Sequence, residues 1–115
     1  MTTAYVLAWL RAFAFTQLVE VPIYLRGARV SAAQGFVAST LTHPVLWFVI
    51  FPLSPASYET TTIVGELWVW LVEAAYLRYL TRPDMRWPRA LAWSLVANAA
   101  SAGFGELCRA LCGYP

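Results

Sequence analysis

The chain has 115 residues, of which 60% are hydrophobic and 12% charged, with a mean hydropathy of +0.57. Soluble domains carry about 25% charged residues, so this composition excludes an ordinary water-facing surface and makes a lipid bilayer the natural solvent. The net charge of +2 rests on eight arginines and no lysine, too sparse and scattered for a nucleic-acid interface, and the length allows a single domain.

Four apolar spans follow one another, over about residues 4–25, 35–53, 61–80 and 89–111. A helix needs about 20 residues to cross hydrocarbon some 30 Å thick, and each span meets that need. Arg26-Gly27-Ala28-Arg29 stops the first span, and Pro52, Ser54 and Pro55 stop the second. The third gives way to Thr81-Arg82-Pro83-Asp84; the fourth follows Trp87-Pro88 and closes at Gly113. The first ten residues lack the basic region of a cleavable signal peptide, so the first span is expected to persist as a helix. Short connections make successive helices antiparallel neighbours. The expected fold is therefore all-α: a polytopic membrane protein, an antiparallel bundle of four transmembrane helices forming one domain over residues 1–115.

Arginines set the expected orientation. Arg26 and Arg29 lie in the first connection, and Arg78, Arg82, Arg86 and Arg89 in or beside the third, while the second has none. The positive-inside rule then places loops 26–34 and 81–88 in the cytoplasm and both termini outside a cell membrane, as for a bacterial inner-membrane protein. Trp9 and Trp68 fall near the outer interface and Trp87 and Trp93 near the inner one, as belt residues do.

The third span, Thr61–Leu80, carries the costliest side chains. Glu66 and Glu73 are two helical turns apart and leave the helix on one side, with Tyr76 close to it. Each intramembrane carboxylate costs on the order of 2.5–3.5 kcal/mol to insert and marks a site or a partner. At a rise of 1.5 Å per residue, Glu20 and Glu73 fall about 8 and 10 Å from the inner ends of their spans. His43 and Asn98 fall about 12 and 13 Å from theirs. Four helices thus bring one polar group each to a common inner level. The expected cluster is Glu20, His43, Glu73 and Asn98, with Tyr76 and Ser101 orienting them.

Neighbouring residues fit a shared polar interior. Thr16, Glu20 and Tyr24 stack at four-residue spacing, and Ser39 lies one turn before His43. Ser94, Asn98, Ser101 and Gly105 form a stripe of small hydrogen-bonding residues, which also serves as a packing seam. Pro22 and Pro44 free the carbonyls of Leu18 and Thr40 near the same level. Glu66, Glu106 and Arg109 form an outer charge layer, with Glu106 and Arg109 at ion-pairing distance in sequence. Glu20, His43 and Glu73 offer a chemically reasonable but incomplete metal set, since no second histidine or HExxH spacing is present, and no metal site is assigned. Cys108 and Cys112 are too few for a disulfide framework and read as apolar filling.

Glu20-x-Pro22, Thr42-His43-Pro44, Glu66 with Glu73 and Tyr76, and Asn98-x-x-Ser101 together resemble a pattern recurring in small bacterial multi-helix membrane proteins. The resemblance covers nearly the whole chain and implies a four-helix integral membrane fold without implying an activity or a cofactor. CAAX-type intramembrane proteases also use membrane glutamates and histidines, but their adjacent Glu-Glu followed by arginine, and their second histidine, are absent. Besides a plain scaffold with polar packing, two functions are compatible with the residues. One is a proton- or ion-handling component of a membrane assembly, partnered by lipid and by protein subunits or further copies of itself. The other is an intramembrane enzyme in which a carboxylate acts as base and His43 as acid.

Overall fold

A computed structural model of the chain describes residues 1–113. It is all-α, with four helices and no strand among the described residues. Helix α1 runs Thr3–Ala28 and α2 Ala32–Leu53. Helix α3 comprises Tyr58–Tyr76 and a wider π turn, Leu77–Thr81, and α4 is Trp87–Cys112.

Caps explain why three helices begin earlier than the apolar runs suggest. Ser31 accepts from the Gln34 N–H at 3.1 Å while Gln34 Oε1 accepts from the Ser31 N–H at 3.0 Å, so α2 starts at Ala32 rather than about residue 35. Ser57 accepts from the Thr60 N–H at 3.2 Å and starts α3 at Tyr58. Pro88 pre-sets the first turn of α4. At the other end, α4 stops where Gly113 enters the left-handed region at φ 70° and donates to the Arg109 carbonyl at 3.0 Å.

The expected C-terminus of α1, near residue 25, is displaced by a π turn over Tyr24–Ala28, and a second π turn spans Leu46–Ile50 in α2. Each begins two residues after a proline, Pro22 or Pro44. Proline removes one N–H from the ladder, and the helix continues with a locally widened register. The offset carbonyl of Trp47 in the second π turn accepts the Tyr5 hydroxyl at 2.5 Å and ties α2 to α1.

Side-chain pairings show that all neighbours run antiparallel. Gln17 of α1 donates to Phe36 O of α2 at 3.0 Å, and Tyr76 of α3 donates to Gln34 O of α2 at 2.9 Å. Trp70 Nε1 donates to Leu91 O and Ser94 Oγ donates back to Trp70 O, both at 2.8 Å, clamping α3 to α4. Trp93 of α4 rests on Gly27 of α1. The helices form a closed ring, with α1 beside α2 and α4, and α3 completing the other two sides.

The polarity of this ring is inverted. Glu20, Glu73, Ser39, Thr42, Ser94, Asn98, Gln17 and Thr61 are buried, while Leu18, Leu80 and Leu111 are at least 73% exposed. The apolar core is largely small residues with Tyr24, Tyr76, Leu77 and Met85 toward the arginine-rich end. Of the four helices, α1 and α2 are long and apolar enough to cross a membrane. The expectation of four such spans is met at this level only by those two. Glu66, Glu73 and Arg78 in α3, and Arg89, Glu106 and Arg109 in α4, offset the hydropathy of the other helices.

Two glycines are required by close approach. A Cβ at Gly27 would lie 2.3 Å from the Trp93 ring, and one at Gly65 would lie 2.5 Å from Leu46 Cδ1. A planar indole wedged between helices cannot yield as the end of a leucine can. Gly27→Ala is expected to cost about 1–3 kcal/mol by overpacking, and Gly65→Ala clearly less. Thermal unfolding of the two variants in the same detergent checks the order.

Candidate functional site: a buried carboxylate pair below a cavity

Two glutamates from different helices hold the centre of the ring. Glu20 of α1 accepts a short hydrogen bond from Ser39 Oγ of α2 and another from Ser101 Oγ of α4 at 2.6 Å. Glu73 of α3 accepts from Tyr24 OH of α1 at 2.6 Å and from Thr42 Oγ1 of α2 at 2.8 Å. Both carboxylates are about 1% exposed. Asn98 stands beside Glu73, with Nδ2 donating to Ser94 O at 2.8 Å. Glu20, Glu73 and Glu66 all face the same cavity.

The local sequence explains this convergence. Gln17, Glu20 and Tyr24 follow spacings of three and four on α1, and Gly35, Ser39, Thr42 and Leu46 follow four, three and four on α2. Thr61, Gly65, Val69 and Glu73 recur every four on α3, and Ser94, Asn98 and Ser101 follow four and three on α4. These are single-face periodicities. Their small members bring the backbones close enough for short side chains to reach across.

Above the pair opens a cavity of about 720 Å³ that reaches the end of the bundle remote from the arginine-rich loops. Glu20, Glu73 and Asn98 line its floor, and Glu66 lines its wall. Arg109 at its mouth lies 3.6 Å from Glu106 and donates to Tyr58 OH at 3.4 Å. Eleven residues of α4 separate Arg109 from Asn98, or about 16 Å at the helical rise. Glu66 is half-buried and makes no hydrogen bond or ion pair among the described residues.

Glu20, Glu73, Asn98 and Ser101 therefore meet in one network, with Tyr24, Ser39 and Thr42 as donors that the sequence reading left outside the cluster. For Ser39 and Thr42 the signal was the stripe on α2, which has the same spacing as the one recognised on α4; for Tyr24 it was the four-residue step from Glu20 on α1. His43 lines the same cavity but bonds elsewhere. Trp9 Nε1 donates to its Nδ1 at 3.0 Å, and its Nε2 lies 3.4 Å from Thr16 Oγ1. An indole N–H can only donate, so Nδ1 accepts and the ring hydrogen sits on Nε2. His43 also stacks on Trp47 and meets the Phe13 ring at a tilt of 55°, with centroids 6.0 and 5.5 Å away. Tyr76 turns away as well, toward Gln34 O at the arginine-rich end. Among the described residues, no three histidine, cysteine or carboxylate side chains are grouped to hold a metal, so the Glu20–His43–Glu73 set is not assembled. Trp9, expected at the outer interface as an anchor, spends its N–H inside the bundle.

Comparison with protein-family models, with curated proteins and with solved structures gives no match.

Each carboxylate has two hydroxyl donors from two other helices. Removing one leaves a buried acceptor short of a partner, at about 1–3 kcal/mol. Thr42→Val and Tyr24→Phe are each expected to lose about that much, and the double variant to deviate from additivity because both serve Glu73. Unfolding of the two single variants and the double variant in one detergent tests the coupling.

Proposed function

We infer that this chain is a polytopic membrane protein of four spans whose inner carboxylate pair takes up a proton or a cation from the cavity. It acts as a proton- or ion-handling component of a membrane assembly. The observation that carries the reading is the Glu20–Glu73 pair itself. Two carboxylates lie buried in one network; among the described residues every hydrogen-bonding partner is a neutral hydroxyl or amide, and no cationic side chain bonds to either. Burying negative charge without a counter-charge is prohibitive, so a proton or a cation has to supply it. The cavity supplies the route.

Several features support the membrane part of the reading. Only 11% of the apolar stretch of α1 and 22% of that of α2 is buried inside the bundle, whereas the core helix of a soluble protein is mostly buried. The longest dimension is 41 Å, against about 40–45 Å for a bilayer with its headgroups. With polar groups inside and leucines outside, the bundle suits hydrocarbon. Arginines 26, 29, 78, 82, 86 and 89 gather at one end, which the positive-inside rule assigns to the cytoplasm, together with loops 26–34 and 81–88. The cavity then opens on the outer side, where both termini lie. For the enzyme reading, His43 would have to act as acid to one of the carboxylates; its bonds go to Trp9 and Thr16, and no observation favours that reading.

Infrared difference spectroscopy on the purified protein in nanodiscs tests the proposal. The carboxyl signal is expected to change with pH or with added sodium, potassium or a small organic ammonium ion, and to be diminished in Glu20→Gln and again in Glu73→Gln. A signal that stays constant under all of these conditions, in a folded protein, overturns it.

A further inference from the structure

A second concavity, of about 660 Å³, lies at the arginine-rich end between the last turn of α1 and the first turns of α4. Arg26, Arg29 and Arg89 line it nearest the helix ends and Ile23, Trp93 and Val96 further along the same two helices, and no carboxylate lines it among the described residues. We propose that this groove binds one anionic phospholipid, its phosphate held by the three guanidinium groups and its acyl chain laid along the apolar part.

The groove is built on a fixed frame. Trp93 lies against Gly27 so closely that no Cβ fits between them. Arg89 Nη2 donates to Gly27 O at 3.2 Å, and Arg82 Nη1 donates to Arg29 O at 3.0 Å. Arg29 itself holds a left-handed backbone, φ 57°, with its N–H on Tyr24 O. Two arginines from the α3–α4 side thus fix the turn that presents two others. The guanidinium groups of Arg26 and Arg29 make no hydrogen bond or ion pair among the described residues, so their donors are open to a ligand. Asp84, the acid at this end, is taken by Arg82 at 3.3 Å. Arg82 holds the Asp84 carboxyl below the usual carboxylate range, which keeps that acid charged and engaged.

The chemistry follows from the combination. Guanidinium forks match phosphate oxygens in pairs, and basic pockets at the cytoplasmic boundary recruit anionic headgroups. Free phosphate would use the arginines alone. The wall of Ile23, Trp93 and Val96 gives further contact only to a ligand with a hydrocarbon chain. The inference rests on the membrane reading but on a different part of the molecule from the carboxylate pair.

Native mass spectrometry of the protein released from nanodiscs of mixed phosphatidylglycerol and phosphatidylcholine tests it. The wild-type chain is expected to retain one phosphatidylglycerol in preference to phosphatidylcholine. Arg26→Gln should lower that preference about fivefold, and the R26Q/R29Q pair by about that factor again, as expected per basic residue near an anionic surface. Arg86→Gln, at the same end but outside the groove, should leave it unchanged. Equal retention of both lipids, an undiminished preference in R26Q/R29Q, or an equal loss in R86Q overturns the site. So does displacement of the lipid by millimolar glycerol phosphate, which would make free phosphate the ligand. Failure of the chain to insert into nanodiscs at all would instead overturn the membrane reading.

Discussion

Hydroxyl groups aimed at two buried carboxylates hold this bundle in register. Glu20 connects α1 to α2 and α4; Glu73 connects α3 to α1 and α2. No helix is outside the network. A helix rotated by a single residue turns its side chains through about 100°, which would carry Ser39 or Thr42 off its acceptor and leave a buried carboxylate unsatisfied. In the proposed bilayer setting, apolar packing tolerates such slips more easily, because leucine against lipid and leucine against leucine differ little in energy. The polar centre therefore specifies the arrangement that the apolar exterior leaves open.

The same constraint accounts for the composition of the interior. Short donors such as serine and threonine reach a carboxylate on another helix only where backbones come near, and Gly27, Gly35, Gly65 and several alanines permit that approach. Larger side chains are displaced outward or toward the ends. The widened turns after Pro22 and Pro44 let α1 and α2 adjust without leaving carbonyls stranded, as the Tyr5 contact with Trp47 O illustrates. In the proposed setting, where lipid offers no hydrogen bonds, that adjustment is obligatory.

Charge is divided along the long axis. Among the described residues four carboxylates, Glu20, Glu66, Glu73 and Glu106, line the cavity beside the single cation Arg109, while most of the arginines sit at the far end around a shallower groove. In the proposed reading, the acidic cavity attracts protons or cations from one side of the membrane and the basic end holds the protein against anionic lipid on the other. The two features share no residue, so each can be removed without touching the other.

Sequence alone determined the all-α architecture, the four helices and the participation of Glu20, Glu73, Asn98 and Ser101 in a shared interior. The reason is that helical period and span length are local properties, and a carboxylate in an apolar run has few places to go. It did not determine which face of α2 turns inward. Ser39 and His43 are one turn apart and both plausible, and only the packing of Gly35 against α1 and Gly65 against Leu46 decided that Ser39 and Thr42 meet the carboxylates while His43 turns to Trp9 and Thr16. Likewise, the groove at the arginine-rich end joins residues more than sixty positions apart, Gly27 and Arg89 among them. Such neighbourhoods belong to tertiary structure because a helix fixes the angle between its own side chains, but not its rotation against another helix.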